Sequence, residues 1–346
     1  MIGFQLSKNR EGLKVEELVI ELNNIKKFYR KRNRVVKVIN DISLKFKDDE
    51  ILCLVGESGS GKTTLGKIIA GLIEPTEGEI RYNGKLLSQL KGKETKEIRR
   101  AIQMIHQDPF ASLNPVRSVY QTLSTPLIYY KLAKDENDAK KRVLELLEVV
   151  DLTPPEDFIY KYPHQLSGGQ RQRVAIARAL TVNPKFIVAD EPVSMVDASI
   201  KASIINTLKR IRREFKVGFL FITHDLALAR LFGGDGKLGV MYTGRIVEYG
   251  LTDDIIENPK HPYTITLLSA VPEPDPVVTR SKKRIKLRSD DIPRLDNLPE
   301  GCHFHPRCPV FVEGKCDKEL PKLEADGLNH YVACFTKDAR EKMLGE

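Results

Sequence analysis

No tryptophan occurs in the chain, and no stretch of its 346 residues approaches the 18 consecutive apolar positions that a helix needs to span a bilayer. A helical membrane span is not expected. The opening residues Met1-Ile2-Gly3-Phe4-Gln5 lack the basic-then-apolar layout of a secretory signal, so the sequence suggests a soluble or peripheral protein in the cytosol. Internal repeats and long low-complexity tracts are missing as well. The length suits one large domain or two ordinary ones with a substantial core. Charge is unbalanced: the formal net charge is +9, and six of the nine residues from Arg280 to Arg288 are basic. No aromatic residues interleave with that run for base stacking. It reads as a solvated loop with some attraction to an anionic membrane surface, and nucleic-acid binding is not expected.

Cysteine is scarce over most of the length and then concentrated. Cys53 lies in the apolar run Ile51-Leu52-Cys53-Leu54-Val55 and reads as a small buried hydrophobe. Cys302, Cys308, Cys316 and Cys334 all fall in the last 45 residues. Disulfides are disfavoured in a reducing compartment, so ligation of an inorganic group is expected. The spacings of five, seven and seventeen intervening residues contain none of the short pairs that structural zinc favours, although His303, His305 and His330 are near. A tail this rich in proline and poor in apolar residues buries too little surface to fold alone, and a bound centre would supply the missing cross-links.

Ile42, Leu44 and Phe46 alternate with Ser43, Lys45 and Lys47, the period of a half-buried strand. Leu18, Ile20 and Leu22 repeat the pattern upstream, and Asn83-Gly84 supplies a hairpin turn after Ile80-Arg81-Tyr82, so antiparallel strands are expected in the first hundred residues. Three short apolar runs, from Ile51 to Val55, from Phe186 to Ala189 and from Phe219 to Ile222, suit parallel strands covered on both faces. Val143, Leu146, Leu147 and Val150 recur at three and four residues with charges off the stripe. That spacing predicts an amphipathic helix within a helical insert from about Asp108 to Leu180. After Gly250, Asn258-Pro259 and the Pro272 to Pro276 cluster mark a change of texture, dividing a domain over 1–250 from a C-terminal extension over 251–346.

Gly56-Glu57-Ser58-Gly59-Ser60-Gly61-Lys62-Thr63-Thr64 follows the first apolar run and precedes a helical stretch, the context in which a G-x-x-x-x-G-K-[ST] loop grips phosphates. Its glycines free backbone N–H groups to wrap the phosphates, Lys62 neutralises the β and γ oxygens, and the Thr63 hydroxyl is available to Mg²⁺. Gly56, Ser58, Gly59, Ser60, Gly61, Lys62, Thr63 and Thr64 are therefore candidate nucleotide ligands. The run from Phe186 ends in Asp190 and Glu191, where the first acid can hold Mg²⁺ through water and the second can polarise an attacking water. Leu166-Ser167-Gly168-Gly169-Gln170 precedes a strong helix former, Arg171 to Leu180, and builds a second helix N-terminus suited to an anion. One P-loop does not need two phosphate sites for one ATP.

These segments, with Ile105-His106-Gln107-Asp108, Asp197 and Thr223-His224-Asp225 in their order along the chain, resemble the ATPase subunits of ATP-binding cassette (ABC) transporters over about residues 16 to 250. The resemblance implies an α/β fold: a RecA-like P-loop core, an antiparallel β-subdomain and a helical subdomain, here with a small cysteine-containing C-terminal extension. It implies an ATPase with Glu191, His224 and Gln107 at the reaction and Mg²⁺ held by Thr63, Gln107 and Asp190. Ser167, Gly168, Gly169 and Gln170, with Asp197, would act in trans on ATP bound by a partner in a head-to-tail dimer. An aromatic residue normally stacks on the adenine; Phe28 aligns best and Tyr29 is the alternative.

Two further segments extend the resemblance to nearly the whole chain. Asn258-Pro259-Lys260-His261-Pro262-Tyr263-Thr264 and the stretch from Gly301 to Pro309 look like the C-terminal extension of oligopeptide and dipeptide importer ATPases. Gly169 to Arg173 together with Asp190 to Ser194 is more similar to the F-type of the two paired ATPases. This implies a heterodimer with a second ATPase, two transmembrane permease subunits, an extracytoplasmic solute-binding protein and a place on the cytoplasmic face of the membrane. The implied cargo is peptides, with oligosaccharides the alternative. The same resemblance tips the four cysteines towards a 4Fe-4S cluster, with structural Zn²⁺ as the alternative. His106 and Met195-Val196 depart from the usual Phe and Ala-Leu. A soluble ABC ATPase acting on nucleic acid or ribosomes would carry a second cassette or a long heptad insertion, and neither is present.

Overall fold

The computed structural model describes residues 19–31, 34–271 and 285–345. The opening residues, the Pro272 to Pro276 cluster and residues 280–284 of the basic run lie outside them.

Strands β1 (Val19–Lys31) and β2 (Arg34–Lys47) pair antiparallel, and the alternation seen from Ile42 to Lys47 puts Ile42, Leu44 and Phe46 inside. β3 (Ile51–Val55) is buried at all five positions and feeds α1 (Lys62–Ile69). β4 (Glu77–Tyr82) and β5 (Lys85–Leu86) complete a four-stranded antiparallel sheet in the order β2-β1-β4-β5. After β6 (Ile102–Ile105) the chain turns helical until Leu180.

The helical stretch is built from α2 (Val119–Tyr129), α3 (Glu136–Val149) and α4 (Gly168–Leu180), with short helices between. Ser118 and Gln121 form a reciprocal capping box at the start of α2, and the Asp135 side chain accepts from the Asp138 amide at the start of α3. The apolar stripe of α3 (Val143, Leu146, Leu147) packs with Leu123 and Leu127 of α2 and Val174 of α4 in a cluster continuous with the main core.

The chain then returns to the core through β7 (Phe186–Asp190), α5 (Ala198–Phe215), β8 (Gly218–Ile222), α6 (Leu226–Gly233), β9 (Lys237–Tyr242), β10 (Arg245–Leu251) and α7 (Pro262–Ser269). β9, β3, β8, β7 and β6 run parallel in that spatial order, with strands of nearly unbroken apolar residues, as a sheet covered on both faces requires. β10 continues the sheet antiparallel to β9.

Strands β11 (Glu324–Ala325) and β12 (His330–Val332) extend the same eight-stranded sheet, with Glu248, Tyr249 and Gly250 of β10 paired to Val332, Tyr331 and His330. The texture change at residue 250 falls within β10. The fully buried Glu248 carboxylate accepts from the Lys260 and His261 amides (2.8 and 3.0 Å) and meets His330 Nε2 at 2.7 Å, tying three segments together. No described helix is long and apolar enough to cross a membrane.

Candidate active site

The chain leaves β3 at Val55 and turns through a loop pressed between β9 and β2. A Cβ on Gly56 (φ +150°) would stand 2.1 Å from the Met241 carbonyl oxygen, and one on Gly61 (φ +104°) 2.5 Å from that of Val38. Glycine is required at both. Lys62, only 5% exposed, folds its ammonium back into the loop and donates to the carbonyls of Gly56 (2.7 Å) and Glu57 (2.9 Å). Burial lowers its pKa, while Glu191, Asp190 and Glu57 pull it back up, so the cation sits in a ring of acids and loop dipoles.

Four parallel strands deliver the remaining groups to their C-terminal ends, the usual crevice for ligands in open α/β sheets. Thr63, at the start of α1, donates its hydroxyl to Asp190 Oδ1 at the end of β7 (3.0 Å). A hydroxyl beside a carboxylate is the oxygen donor set Mg²⁺ takes, with Thr63 as the ligand and Asp190 holding the ion through water. Burial raises the Asp190 pKa, against the lowering by Thr63, with Glu191 adding to the rise; a divalent cation would relieve that cost.

Glu191 is the hub. One carboxylate oxygen accepts from Gln107 Nε2 beyond β6 (3.1 Å), and the other lies 3.2 Å from His224 Nδ1 beyond β8. Its backbone is left-handed (φ +44°), a conformation costing about 1 kcal/mol for a residue with a side chain. The amide donates to the Ile222 carbonyl, and the carbonyl accepts from both the amide and the hydroxyl of Ser194, which holds the turn. The carboxylate is thereby placed between Gln107 and His224. The His224 side chain is 61% exposed, so the site is open on that side.

This constellation agrees with what the chain is similar to. Residues 39–194 match the family described as ABC transporter, and residues 247–316 match the oligopeptide/dipeptide transporter C-terminal region. The oligopeptide transport ATP-binding protein OppF of Haemophilus influenzae is 40% identical over 92% of this chain and 97% of its own length. The oligopeptide transport ATP-binding protein AppF of Bacillus subtilis is likewise 40% identical, over 92% and 97%. The ATP-binding cassette MJ0796, solved as a dimer in a post-hydrolysis state with ADP and Pi, superposes with a TM-score of 0.61 at 33% identity, covering 67% of this chain and 98% of that one. This chain belongs to the ATP-binding subunits of the oligopeptide/dipeptide ABC transporters. It is an ATPase subunit.

The cassette separates two groups of residues that the sequence links. Ser167 caps α4, its hydroxyl accepting from the Gln170 amide (3.3 Å) while Gln170 Oε1 accepts from the Ser167 amide (2.9 Å). Ser167 and Asp197 are exposed, and the Asp197 side chain makes no capping bond at the start of α5. The side-chain bonds between Ser167 and Gln170 stay within their own turn. Asp151 joins α4 to its neighbours: it receives Arg173 (2.8 Å), Arg210 (2.6 Å) and the Thr207 hydroxyl.

Strand register distinguishes the two aromatic candidates. Tyr29 pairs with Val36, and directly opposed residues share a face; Val36 lines an open cleft of about 1040 Å³ with Glu57, Ser58, Gly59 and Ser60. Phe28 pairs with Lys37 and is half-buried on the other face. Residues Ile292 to Asp296 form another wall of the cleft, with Leu295 accepting from the Lys37 amide and Asp296 paired to Arg34. Sequence reasoning gave no sign of this wall, because it lies about 250 residues from β2.

All four tail cysteines are free thiols and line one small cavity together with His261, Phe304 and His305. Burial pushes Cys302 up to about 11 and Cys308 and Cys334 up to about 12. The Thr336 amide donates to Cys334 Sγ at 3.4 Å. Among the described residues no three His, Cys, Asp or Glu side chains converge as the ligands of a metal ion. The cavity they share is small, and the thiols as they stand form a ligand set for neither a zinc ion nor a larger cluster.

Proposed function

We propose that this subunit hydrolyses ATP on the cytoplasmic face of the membrane as one half of a head-to-tail ATPase pair that drives peptide import. The carrying observation is the meeting of Gln107 and His224 on the two oxygens of Glu191, beside a P-loop and a Thr63–Asp190 pair. In this reading the loop amides and Lys62 hold the β and γ phosphates, and Thr63, Asp190 and Gln107 surround Mg²⁺. Glu191 polarises the attacking water, and His224 contacts the γ-phosphate. The exposed N-terminus of α4, with Ser167 to Gln170, completes the partner's site, and Asp197 links the two. A capped helix end whose side-chain bonds stay within its own turn, with Ser167 exposed, supports the trans role.

The peptide cargo rests on the relatives, which are oligopeptide transport ATP-binding proteins, and on the matching C-terminal region. Similarity to the F-type subunit supports a second, related ATPase as partner. Phe110, Val116, Ile128, Tyr129 and Tyr160 are exposed apolar side chains on the helical insert, which supports docking of permease subunits there. An extracytoplasmic solute-binding protein would hand cargo to those permeases. For the tail, Cys302, Cys308, Cys316 and Cys334 are the residues that would hold a 4Fe-4S cluster, whose contribution when bound is cross-linking of an apolar-poor segment. Glu191→Gln in the reconstituted transporter tests the central reading: hydrolysis and uptake should fall by at least about a hundredfold while ATP binding persists. Near-normal turnover would overturn it.

A further inference from the structure

Glu57 is the second residue of the P-loop, and its carboxylate is one of three whose charge reaches Lys62. An acid there opposes the binding of a polyphosphate. Its partner comes from the cysteine-bearing tail: Arg307 closes a two-bonded ion pair on it, Nη1 to Oε2 at 2.9 Å and Nη2 to Oε1 at 3.0 Å. Arg307 is 6% exposed, and the rings of Tyr242 and Phe304 lie 5.9 and 5.7 Å from its guanidinium. A second bond acts on the same residue, since the Glu57 amide donates to the Tyr263 hydroxyl (2.8 Å) at the start of α7. Tyr263, Tyr242 and Phe304 pack against one another in tilted and edge-to-face pairs with centroids 4.6 to 5.5 Å apart. The tail therefore grips both the backbone and the side chain of the first turn of the P-loop.

We propose that Arg307 is a positioning residue for ATP: it neutralises Glu57 and, with Tyr263, fixes the entrance of the P-loop so that the loop accepts the γ-phosphate. This rests on reading the P-loop as the ATP site. A bidentate guanidinium suits the task because it locks the orientation of the carboxylate as well as cancelling its charge. Without it the acid is left beside the phosphates. The terminal phosphate carries the extra charge of ATP, so ATP should suffer more than ADP.

The test is titration of the full-length protein with ATP and ADP, followed by tryptophan-free readouts such as calorimetry. Arg307→Leu should weaken ATP about tenfold and ADP no more than about threefold. Adding Glu57→Gln to Arg307→Leu should restore ATP to within about threefold of the parent, which a purely structural role would not do. Equal losses for ATP and ADP without that rescue would overturn the proposal, as would unchanged ATP affinity in folded Arg307→Leu. If Arg307→Leu does not fold, Arg307→Lys and Glu57→Gln decide. The first should weaken ATP about threefold and the second should raise the preference for ATP over ADP; no change in either overturns the proposal. Lys62→Ala serves as the control, because retention of ATP there would defeat the P-loop reading itself.

Discussion

Tyr29 faces Val36 across the β1–β2 ladder, and Val36 lines the cleft above the P-loop. Tyr29→Ala should therefore weaken ATP about tenfold, the loss expected for one base stacked on one aromatic ring. Phe28→Ala should leave ATP affinity within about twofold while lowering the melting temperature, because Phe28 is half-buried on the opposite face. Calorimetric titration and thermal unfolding of both variants check this, and the opposite pattern would return the adenine to Phe28.

Ser167→Arg should leave ATP binding to the isolated subunit within about twofold of the parent yet abolish ATP-driven pairing with the second ATPase, since a bulky cation would stand where the partner's γ-phosphate docks. Binding and sedimentation with the partner subunit report the two effects separately. A loss of isolated binding as large as that of Lys62→Ala would end the trans reading.

Anaerobically purified protein should be brown and contain iron and acid-labile sulfide, and Cys308→Ser should lose both. Colourless protein with one zinc per chain would decide for the alternative.

Asp151 supplies a pH test of the joint that carries α4. Burial raises its pKa, but bonds from Thr207, Arg210 and Arg173 more than offset this and hold the carboxyl below its usual range. A carboxyl depressed in the folded state contributes stability above its unfolded value of about 4, and that contribution disappears as pH falls through the lower folded value. Asp151→Asn should therefore cost about 1 kcal/mol at pH 7, a figure kept small because the side chain is 39% exposed. The gap to the parent should close below about pH 4. A gap of constant size from pH 7 to pH 3, followed by denaturant unfolding, would show that charge is not what Asp151 contributes.

The P-loop, the acids ending β7 and the helical insert were legible because each is local: a glycine spacing, an apolar strand ending in two carboxylates, a stripe at three and four residues. The convergence of Gln107 and His224 on Glu191 was legible only through resemblance, since it depends on β6, β7 and β8 being neighbours. What lay beyond the sequence was long-range. Nothing near Glu57 points to Arg307, nothing near Glu248 points to His330, and the choice between Phe28 and Tyr29 turns on a register shift between Lys27 and Phe28. Four unevenly spaced cysteines suggested a shared ligand but not that one cavity gathers them.

The pairing of Glu248 with Val332 also sets an order of events during synthesis. β10 leaves the ribosome roughly 80 residues before the strand that completes it, a wait on the order of 4–16 s at ordinary elongation rates. Through that interval a strand bearing a carboxylate destined for full burial has an open edge and no histidine beside it. The nascent cassette is exposed to association with other chains until β12 emerges. Shortening the tail would make that passing vulnerability permanent.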